Sequence, residues 1–383
     1  MARALYIHWP FCLRKCPYCD FNSHVRDGVD HALWERAMLA DMRHEHALAD
    51  TGPLTSIFFG GGTPSLMPPA LVERLLEEAE RLWGFDPQIE ITLEANPSSV
   101  EADNFTDLAR AGVNRVSLGL QSLDDETLRF LGRLHNVAES LAALDTAQSC
   151  FARTSFDLIY ARPGQSAEMW CAELERALGF GTSHLSLYQL TIEPGTRFAT
   201  DVRRGVFTPL EDDPAADLFT LTQELTNAAD LPAYEVSNHA APGQESRHNL
   251  TYWRYQDYIG IGPGAHGRRG GMATQRHRKP ENWLDAIAAN SNGLVEERAL
   301  VPAESASEAL MMGLRLREGI DLAGLSARFH IPESTLVDSE RVAFYGNLGF
   351  LWDKDGRIGA TPAGMAVLDA LLGEVVSGEL VAT

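Results

Sequence analysis

The sequence has few cysteines, no long apolar run and a shortage of positive charge. Five cysteines are an odd number, and no secretory leader precedes the first strand-like segment, so we do not expect disulfides. The apolar stretches are too short to span a bilayer. With 32 Lys and Arg against 53 Asp and Glu, the net charge of -21 argues against nucleic acid as a partner. We expect a cytoplasmic protein with reduced thiols.

The first half of the 383-residue chain alternates short apolar runs with amphipathic segments, and 45% of all residues are hydrophobic. The apolar runs predict six strands, near Ala4–Trp9, Ser56–Phe59, Ile89–Leu93, Arg115–Leu118, Ser155–Ile159 and His184–Tyr188. The segments between them predict helices near 31–48, 69–82, 101–111, 136–149 and 166–179. Crossover helices between strands imply a parallel sheet, but periodicity alone does not choose between a doubly wound sheet and a partial barrel.

The pattern changes after residue 205 and again near residue 300. Proline-punctuated segments lead into an aromatic stretch at 248–267, and helical patterns at 304–317, 321–329 and 333–346 precede a hairpin at 349–360. Thr361 and Pro362 then open a last helix. Three regions are predicted, at 1–205, 206–300 and 301–383, and the third is read as a winged-helix-like α+β domain. Its acidic excess favours a lid or packing role over DNA binding.

Three thiols stand within one short turn, at Cys12, Cys16 and Cys19. A structural zinc site almost always has four protein ligands, and His8 or His24 would be needed to complete one. A cubane [4Fe-4S] cluster on three thiolates instead leaves one iron free to bind a small molecule. The spacing therefore favours a reactive iron–sulfur cluster, with zinc as the alternative.

This run, preceded by Tyr6-Ile7-His8-Trp9-Pro10-Phe11, resembles the cluster motif of the radical SAM superfamily. The resemblance implies that the open iron binds S-adenosylmethionine (SAM), whose sulfonium is cleaved by an electron from the cluster to give a deoxyadenosyl radical. It also implies an α/β fold, a partial (β/α)6 TIM-type barrel with the cluster loop after the first strand. Chemistry is expected at the carboxyl ends of the strands.

Further motifs follow the predicted strands. Consecutive glycines after the second strand leave backbone amides open to a ligand, and an arginine fork in Leu131–His135 suits a carboxylate. The order of these motifs resembles the anaerobic coproporphyrinogen III oxidase and HemW group. The resemblance implies SAM contacts from Tyr6, Tyr18, Gly61, Gly62, Thr63, Glu94, Gln121, Arg133 and Asp157. Ala161-Arg162-Pro163-Gly164 departs from the Gly-Leu-Pro pattern expected after the fifth strand.

A second motif, His248-Asn249-Leu250-Thr251-Tyr252-Trp253, resembles the HNxxYW element of HemW-type haem chaperones. Imidazole is a good haem ligand and aromatic rings can stack on a porphyrin, so His248, Asn249, Tyr252 and Trp253 are predicted to contact haem. A buried histidine with satisfied hydrogen bonds is the alternative. The basic stretch from Arg268 to Lys279 is predicted to be mostly a solvated loop, in which some residues could meet haem propionates.

Two functions follow from the resemblance. The first is a haem chaperone that binds a [4Fe-4S] cluster, SAM and haem, and delivers haem to apoproteins such as membrane respiratory enzymes. The second is an oxygen-independent coproporphyrinogen III oxidase, which would bind a porphyrinogen. Those oxidases carry an N-terminal extension and a further cysteine just after the cluster run. The chain starts five residues before Tyr6, and Cys19 is followed by Asp20-Phe21-Asn22-Ser23, which favours the chaperone. Whether the protein is an enzyme, and its oligomeric state, are not fixed by the sequence.

Overall fold

A computed structural model describes residues 4–26, 28–48 and 52–381. Its strands are, in chain order, β1 (Ala4–Trp9), β2 (Phe11–Cys12), β3 (His24–Val25), β4 (Leu54–Gly61), β5 (Phe85–Ala95), β6 (Arg115–Gln121), β7 (Arg153–Tyr160), β8 (His184–Gln189), β9 (Asn238–Ala240), β10 (Tyr258–Ile261), β11 (His266–Arg269), β12 (Met272–Arg276), β13 (Leu294–Ala299), β14 (Ile320–Asp321), β15 (Leu351–Lys354) and β16 (Arg357–Ala360).

The α-helices are α1 (His31–Leu48), α2 (Pro69–Trp83), α3 (Ser99–Ala102), α4 (Phe105–Arg110), α5 (Asp125–Phe130), α6 (Val137–Cys150), α7 (Ala167–Leu178), α8 (Arg197–Arg203), α9 (Asp212–Ala228), α10 (Arg247–Trp253), α11 (Pro280–Asn290), α12 (Pro302–Gly313), α13 (Leu322–Phe329), α14 (Glu333–Leu336), α15 (Ser339–Asn347), α16 (Pro362–Met365), α17 (Leu368–Val375) and α18 (Gly378–Val381). No helix among the described residues is long and apolar enough to cross a bilayer.

The first thirteen strands, apart from β2 and β3, form one sheet in the order β13-β12-β11-β10-β1-β4-β5-β6-β7-β8-β9. The strands from β10 to β8 in this order are parallel. The six strands predicted from the first half are therefore confirmed. The sequence did not predict β10, which adds a parallel strand beside β1, or the antiparallel extension of β11, β12 and β13.

The sheet curves into a barrel wall covered by helices, as the predicted fold class required. Apolar side chains of β1 such as Leu5 and Ile7 are fully buried, and the apolar face of α2 packs within the same core. In such a wall, polar residues at the carboxyl ends of parallel strands converge on one mouth. The site is found at that mouth.

The chain after residue 300 has its own hydrophobic core, which includes Leu310, Leu336 and Ile358. The predicted hairpin is β15 and β16, joined by β14 in a three-stranded sheet. Thr361 caps α16 as predicted, because its hydroxyl oxygen accepts the N–H of Gly364 at 3.1 Å. The predicted helix at 333–346 is in fact two helices, α14 and α15. The boundaries at 205 and 300 remain predictions.

The prediction of a solvated basic loop was wrong for its central arginines. Arg276 lies on β12 and is completely buried, with ion pairs to Asp41 at 2.6 Å and Glu45 at 2.9 Å. Arg269 on β11 pairs with Glu45 and Glu297, each at 2.6 Å. These guanidinium groups fasten α1 to the antiparallel extension, so they do not face a ligand.

Candidate cofactor site at the mouth of the barrel

The cysteine loop follows the carboxyl end of β1 and is held in place by hydrogen bonds to segments near β11 and β12. Cys12 ends the short strand β2. The side-chain nitrogen of Asn22 donates hydrogen bonds to the carbonyl oxygens of Pro263 and Arg278, both at 2.9 Å. The loop is thus fixed to the segments on either side of β11 and β12, which are remote in sequence.

The glycine turn that ends β4 crosses the cysteine loop at close range. Gly61 has φ of +113°, and a Cβ there would lie 2.5 Å from the ring of His8. A Cβ on Gly62 would lie 2.6 Å from the carbonyl oxygen of Phe11. The N–H of Thr63 donates to that same carbonyl at 2.8 Å. Only glycine at both positions permits this approach.

A chain of hydrogen bonds joins two of the cysteines through the pocket wall. The Thr63 hydroxyl donates to the sulfur of Cys12 at 3.5 Å and accepts from the side-chain amide of Asn96 at 3.2 Å. Arg133 donates to the Asn96 side-chain oxygen at 2.6 Å and to the sulfur of Cys16 at 3.3 Å. Burial nevertheless raises the pKa of the Cys12 thiol, and the Thr63 hydrogen bond offsets only part of that effect.

Two partly buried carboxyl groups, those of Glu94 and Asp157, line the same pocket. Burial and then the neighbouring Asp157 raise the pKa of Glu94 to about 8, and burial raises the pKa of Asp157 to about 6. Glu94 accepts the N–H of Gly61 at 3.3 Å, and Asp157 accepts the hydroxyl of Ser117 at 3.3 Å. Carboxyl groups whose pKa lies near 7 are typical of ligand sites in clefts. A bound hydrogen-bond donor or cation stabilises the carboxylate form and so promotes loss of the proton.

The pocket enclosed by these elements has a volume of about 230 Å³. All three cysteines line it, as do most residues predicted for SAM: Tyr18, Gly61, Gly62, Thr63, Glu94, Gln121, Arg133 and Asp157. Tyr6 does not line it. The Tyr6 hydroxyl is hydrogen-bonded to His8 at 2.9 Å and faces a neighbouring cavity of about 390 Å³.

The pocket suits the predicted SAM carboxylate. The Nε of Arg133 is buried and has no hydrogen-bond partner among the described residues, so a ligand carboxylate would satisfy it. The three cysteines of the predicted cluster line the same pocket.

His248 lies inside the protein and does not reach a ligand cavity. Its side chain is 1% exposed and stacks on Phe58, with ring centroids 5.0 Å apart. The Nδ1 atom is 3.1 Å from the hydroxyl of Ser56, and the Nε2 atom is 2.7 Å from the hydroxyl of Tyr252. Both ring nitrogens are therefore hydrogen-bonded, which is the alternative considered for this residue.

The other members of the HNxxYW motif face a large cleft. Asn249, Tyr252 and Trp253 line a cavity of about 860 Å³ between the barrel and the C-terminal region. Arg315 lines the same cleft, with its guanidinium 6.0 Å from the Trp253 ring centre and 3.0 Å from Asp369. His248 thus does not line the cleft, whereas the other three predicted residues of the motif do.

Sequence reasoning missed Asn96 and a buried clamp beside Gln121. Asn96 stands within the strand-end segment that supplied Glu94, so its position was the available signal. The clamp begins at Arg162, where the chain departs from Gly-Leu-Pro: its guanidinium donates to the Ser122 hydroxyl at 2.7 Å and pairs with Glu173 at 2.5 Å. The clamp joins the segment after β6, which begins directly after Gln121, to the segment after β7, the strand that carries Asp157.

The barrel with a three-cysteine loop at its mouth is the architecture of a radical SAM protein, and comparisons agree. The Radical SAM superfamily profile matches residues 6–177, and the HemN C-terminal domain profile matches residues 300–367. The structure is similar to that of coproporphyrinogen III oxidase (HemN) from Escherichia coli, with a TM-score of 0.81 and 21% identity, over 97% of this chain and 89% of that chain. At this identity the likeness establishes the fold.

Curated sequence relatives have a higher sequence identity to this chain than that solved structure has. The heme chaperone HemW of Escherichia coli is 44% identical over 69% of this chain and 70% of its own. HemW of Haemophilus influenzae is 38% identical over 90% of this chain and 95% of its own. The mitochondrial radical S-adenosyl methionine domain-containing protein 1 of Bos taurus is 37% identical over 98% of this chain and 87% of its own. The chain belongs to the radical SAM superfamily, in the group that contains the HemW proteins.

Proposed function

We propose that this protein is a haem chaperone that binds a [4Fe-4S] cluster, SAM and haem, and passes haem to haem-dependent apoproteins, membrane respiratory enzymes among them. The family implies the cluster and SAM. The names of the HemW relatives suggest haem. A cytoplasmic location stays a proposal, since other relatives are mitochondrial. The observation that carries the proposal is the large cleft between the barrel and the C-terminal region, lined by Asn249, Tyr252 and Trp253.

The size and lining of the cleft suit a tetrapyrrole. Its volume of about 860 Å³ is near the upper end for small-molecule sites, which span about 300–1,000 Å³. Phe219, Trp253 and Val236 supply apolar surface for a ring system. Arg315 would exchange its ion pair with Asp369 for a propionate carboxylate, a geometry that guanidinium groups favour.

The cysteine pocket would hold the other two cofactors. Cys12, Cys16 and Cys19 would bind the cluster, and Arg133 would receive the SAM carboxylate on its free Nε. Glu94 and Asp157 would accept from the amino or ribose groups of SAM. When bound, the cluster would supply the electron that SAM chemistry requires.

An anaerobic haem titration of the cluster-reconstituted protein tests the proposal. We expect saturable binding that Trp253→Ala and Arg315→Met each weaken by at least about tenfold, equivalent to about 1.4 kcal/mol. Arg341→Met is the matched control, because Arg341 is an exposed arginine of the same region that pairs with Glu374 outside the cleft. Absence of saturable binding by the unaltered protein would refute the proposal.

The runner-up is coproporphyrinogen III oxidase activity. The SAM pocket and the neighbouring cavity share Gly61 and Glu94, so a substrate there would lie next to SAM. SAM-dependent formation of protoporphyrinogen under strict anaerobiosis would establish this activity. We expect none, with haem binding retained.

A further inference from the structure

The residue that ends β6, Gln121, has a backbone conformation that is rare for a residue with a side chain. Its φ is +70°, in the left-handed region. Leu118 pairs with Phe156 on β7, and Gln121 pairs with Leu158. The chain thus advances by three residues on β6 and by two on β7, which makes a bulge. Because bulges redirect the side chains beside them, the bulge sets the direction of the Gln121 side chain.

The side chain of Gln121 lines the cofactor pocket and lies beside Arg133. The residue is 9% exposed and encloses the pocket together with the three cysteines. A Cβ on Gly119 would lie 2.9 Å from the amide nitrogen of Gln121 and 3.2 Å from a terminal nitrogen of Arg133. The two side chains therefore meet over this glycine, and the carboxamide can offer a hydrogen bond to a ligand that Arg133 binds.

The two residues after Gln121 are held by one carboxylate. The Ser122 hydroxyl donates to Glu173 at 2.6 Å, and the N–H of Leu123 donates to the same oxygen at 2.7 Å. Arg162 fixes that carboxylate through an ion pair at 2.5 Å and also donates to the Ser122 hydroxyl at 2.7 Å. The side chains of Arg162 and Glu173 are only 7% and 9% exposed, so water competes little for these bonds.

The conformation of Gln121 explains why such a clamp is present. A non-glycine residue at positive φ is unfavourable by itself and persists only where the surrounding contacts determine its backbone. Neither Arg162 nor Glu173 is among the described residues that line the pocket, so they can affect a ligand only through the segment that they hold. A buried ion pair is a weak source of stability compared with apolar packing, so the contribution of this pair lies in its fixed geometry.

We infer that Arg162 and Glu173 are positioning residues for SAM, which hold Gln121 at positive φ with its carboxamide beside Arg133. This inference rests on the proposed placement of SAM in the pocket. Loss of the pair would let the bulge relax and turn the carboxamide away from the ligand. The affinity for SAM should then fall although no group that touches SAM has been replaced.

A double-mutant cycle in the full-length, cluster-reconstituted protein tests the inference, with SAM affinity measured by calorimetry. Arg162→Met should weaken SAM binding by about tenfold, as the loss of one good hydrogen bond would. Gln121→Ala removes the carboxamide and should weaken binding by a similar factor. Because the pair acts through Gln121, adding Arg162→Met to Gln121→Ala should weaken binding by less than about twofold further, since coupled sites are not additive.

Arg269→Met is the matched control. The Arg269 side chain is 8% exposed and pairs with Glu45 at 2.6 Å, outside the pocket. This variant should be destabilised while its SAM affinity stays unchanged. Ser122→Ala removes a hydroxyl and no charge, and it takes the place of Arg162→Met in the cycle if that variant does not fold. Its loss of SAM affinity should likewise disappear in the Gln121→Ala background.

Undiminished SAM affinity in both Arg162→Met and Ser122→Ala would overturn the inference. Independent losses that multiply in the cycle would also overturn it, because the clamp would then act on the fold as a whole and not through Gln121. No SAM binding by the unaltered protein would instead refute the proposed placement of SAM in the pocket.

Discussion

The Nε2 atom of His248 lies 2.7 Å from the hydroxyl oxygen of Tyr252, and the imidazole is enclosed by protein on every side. Burial lowers the pKa of His248 to about 3, so the ring is neutral. One nitrogen then donates and the other accepts, which matches its two hydroxyl partners, Ser56 and Tyr252. The first residue of the HNxxYW motif therefore anchors α10 to β4.

His248→Ala is accordingly expected to impair stability more than haem affinity. Loss of a packed ring and of two hydrogen bonds should lower the free energy of unfolding by about 2–4 kcal/mol, whereas Tyr252→Phe, which removes one hydroxyl, should cost about 1 kcal/mol. Chemical denaturation measures the first effect and haem titration the second. A large loss of haem affinity in a stably folded His248→Ala protein would contradict this role.

Arg133 should control SAM binding. Arg133→Lys keeps the charge but loses the fork that reaches Asn96 and Cys16, with Nε left for a carboxylate. Since hydrogen bonds to charged groups contribute about 1.5–3 kcal/mol each, we expect SAM affinity to fall about 10- to 100-fold by calorimetry. Arg129→Lys, at an exposed site on α5, is the control. Equal affinities in the two variants would exclude Arg133 from the site.

Stability of the unliganded protein should depend on pH through Glu94. Its pKa of about 8 in the folded state exceeds the unfolded value of about 4.5. The folded protein thus holds the proton longer, and the free energy of unfolding falls as pH rises from about 5 to 8, by up to about 1.4 kcal/mol per pH unit.

Glu94→Gln removes this titration, so its unfolding free energy should vary less with pH over the same range. Glu77→Gln, at an exposed site on α2, should behave like the unaltered protein. Denaturant titrations at pH 5.5 and pH 8 provide the comparison. Parallel pH dependences for Glu94→Gln and the unaltered protein would show that Glu94 is ionised throughout.

The buried pair of Arg276 and Asp41 should be structural and independent of ligand. Arg276→Met leaves the Asp41 and Glu45 charges buried, which typically costs about 3–5 kcal/mol of stability. Arg298→Met breaks an exposed pair with Glu304 and should cost under about 1 kcal/mol. Thermal unfolding measures both. Weaker haem binding by Arg276→Met without destabilisation would restore the propionate-contact prediction for this stretch.

The strands and cysteines could be predicted from the sequence because their signals are local. An apolar run such as Ala4–Trp9 predicts a buried strand without knowledge of the rest of the fold. Three closely spaced thiols likewise predict a shared metal or cluster site whatever the fold. Most positions predicted for SAM line one pocket because they stand at the ends of parallel strands, whose carboxyl ends meet by the geometry of the sheet.

The sequence by itself determined the alternation of strands and helices, the cysteine loop and the glycine turn, whereas the choice of a barrel over a doubly wound sheet came from the family resemblance. Tertiary structure alone decided the direction of His248 and the burial of Arg276. Each of these depends on a partner more than one hundred residues away, such as Ser56 for His248 or Asp41 for Arg276. A local pattern gives the chemical nature of a side chain, but only the packed chain determines which charges, hydroxyls and cavities surround it.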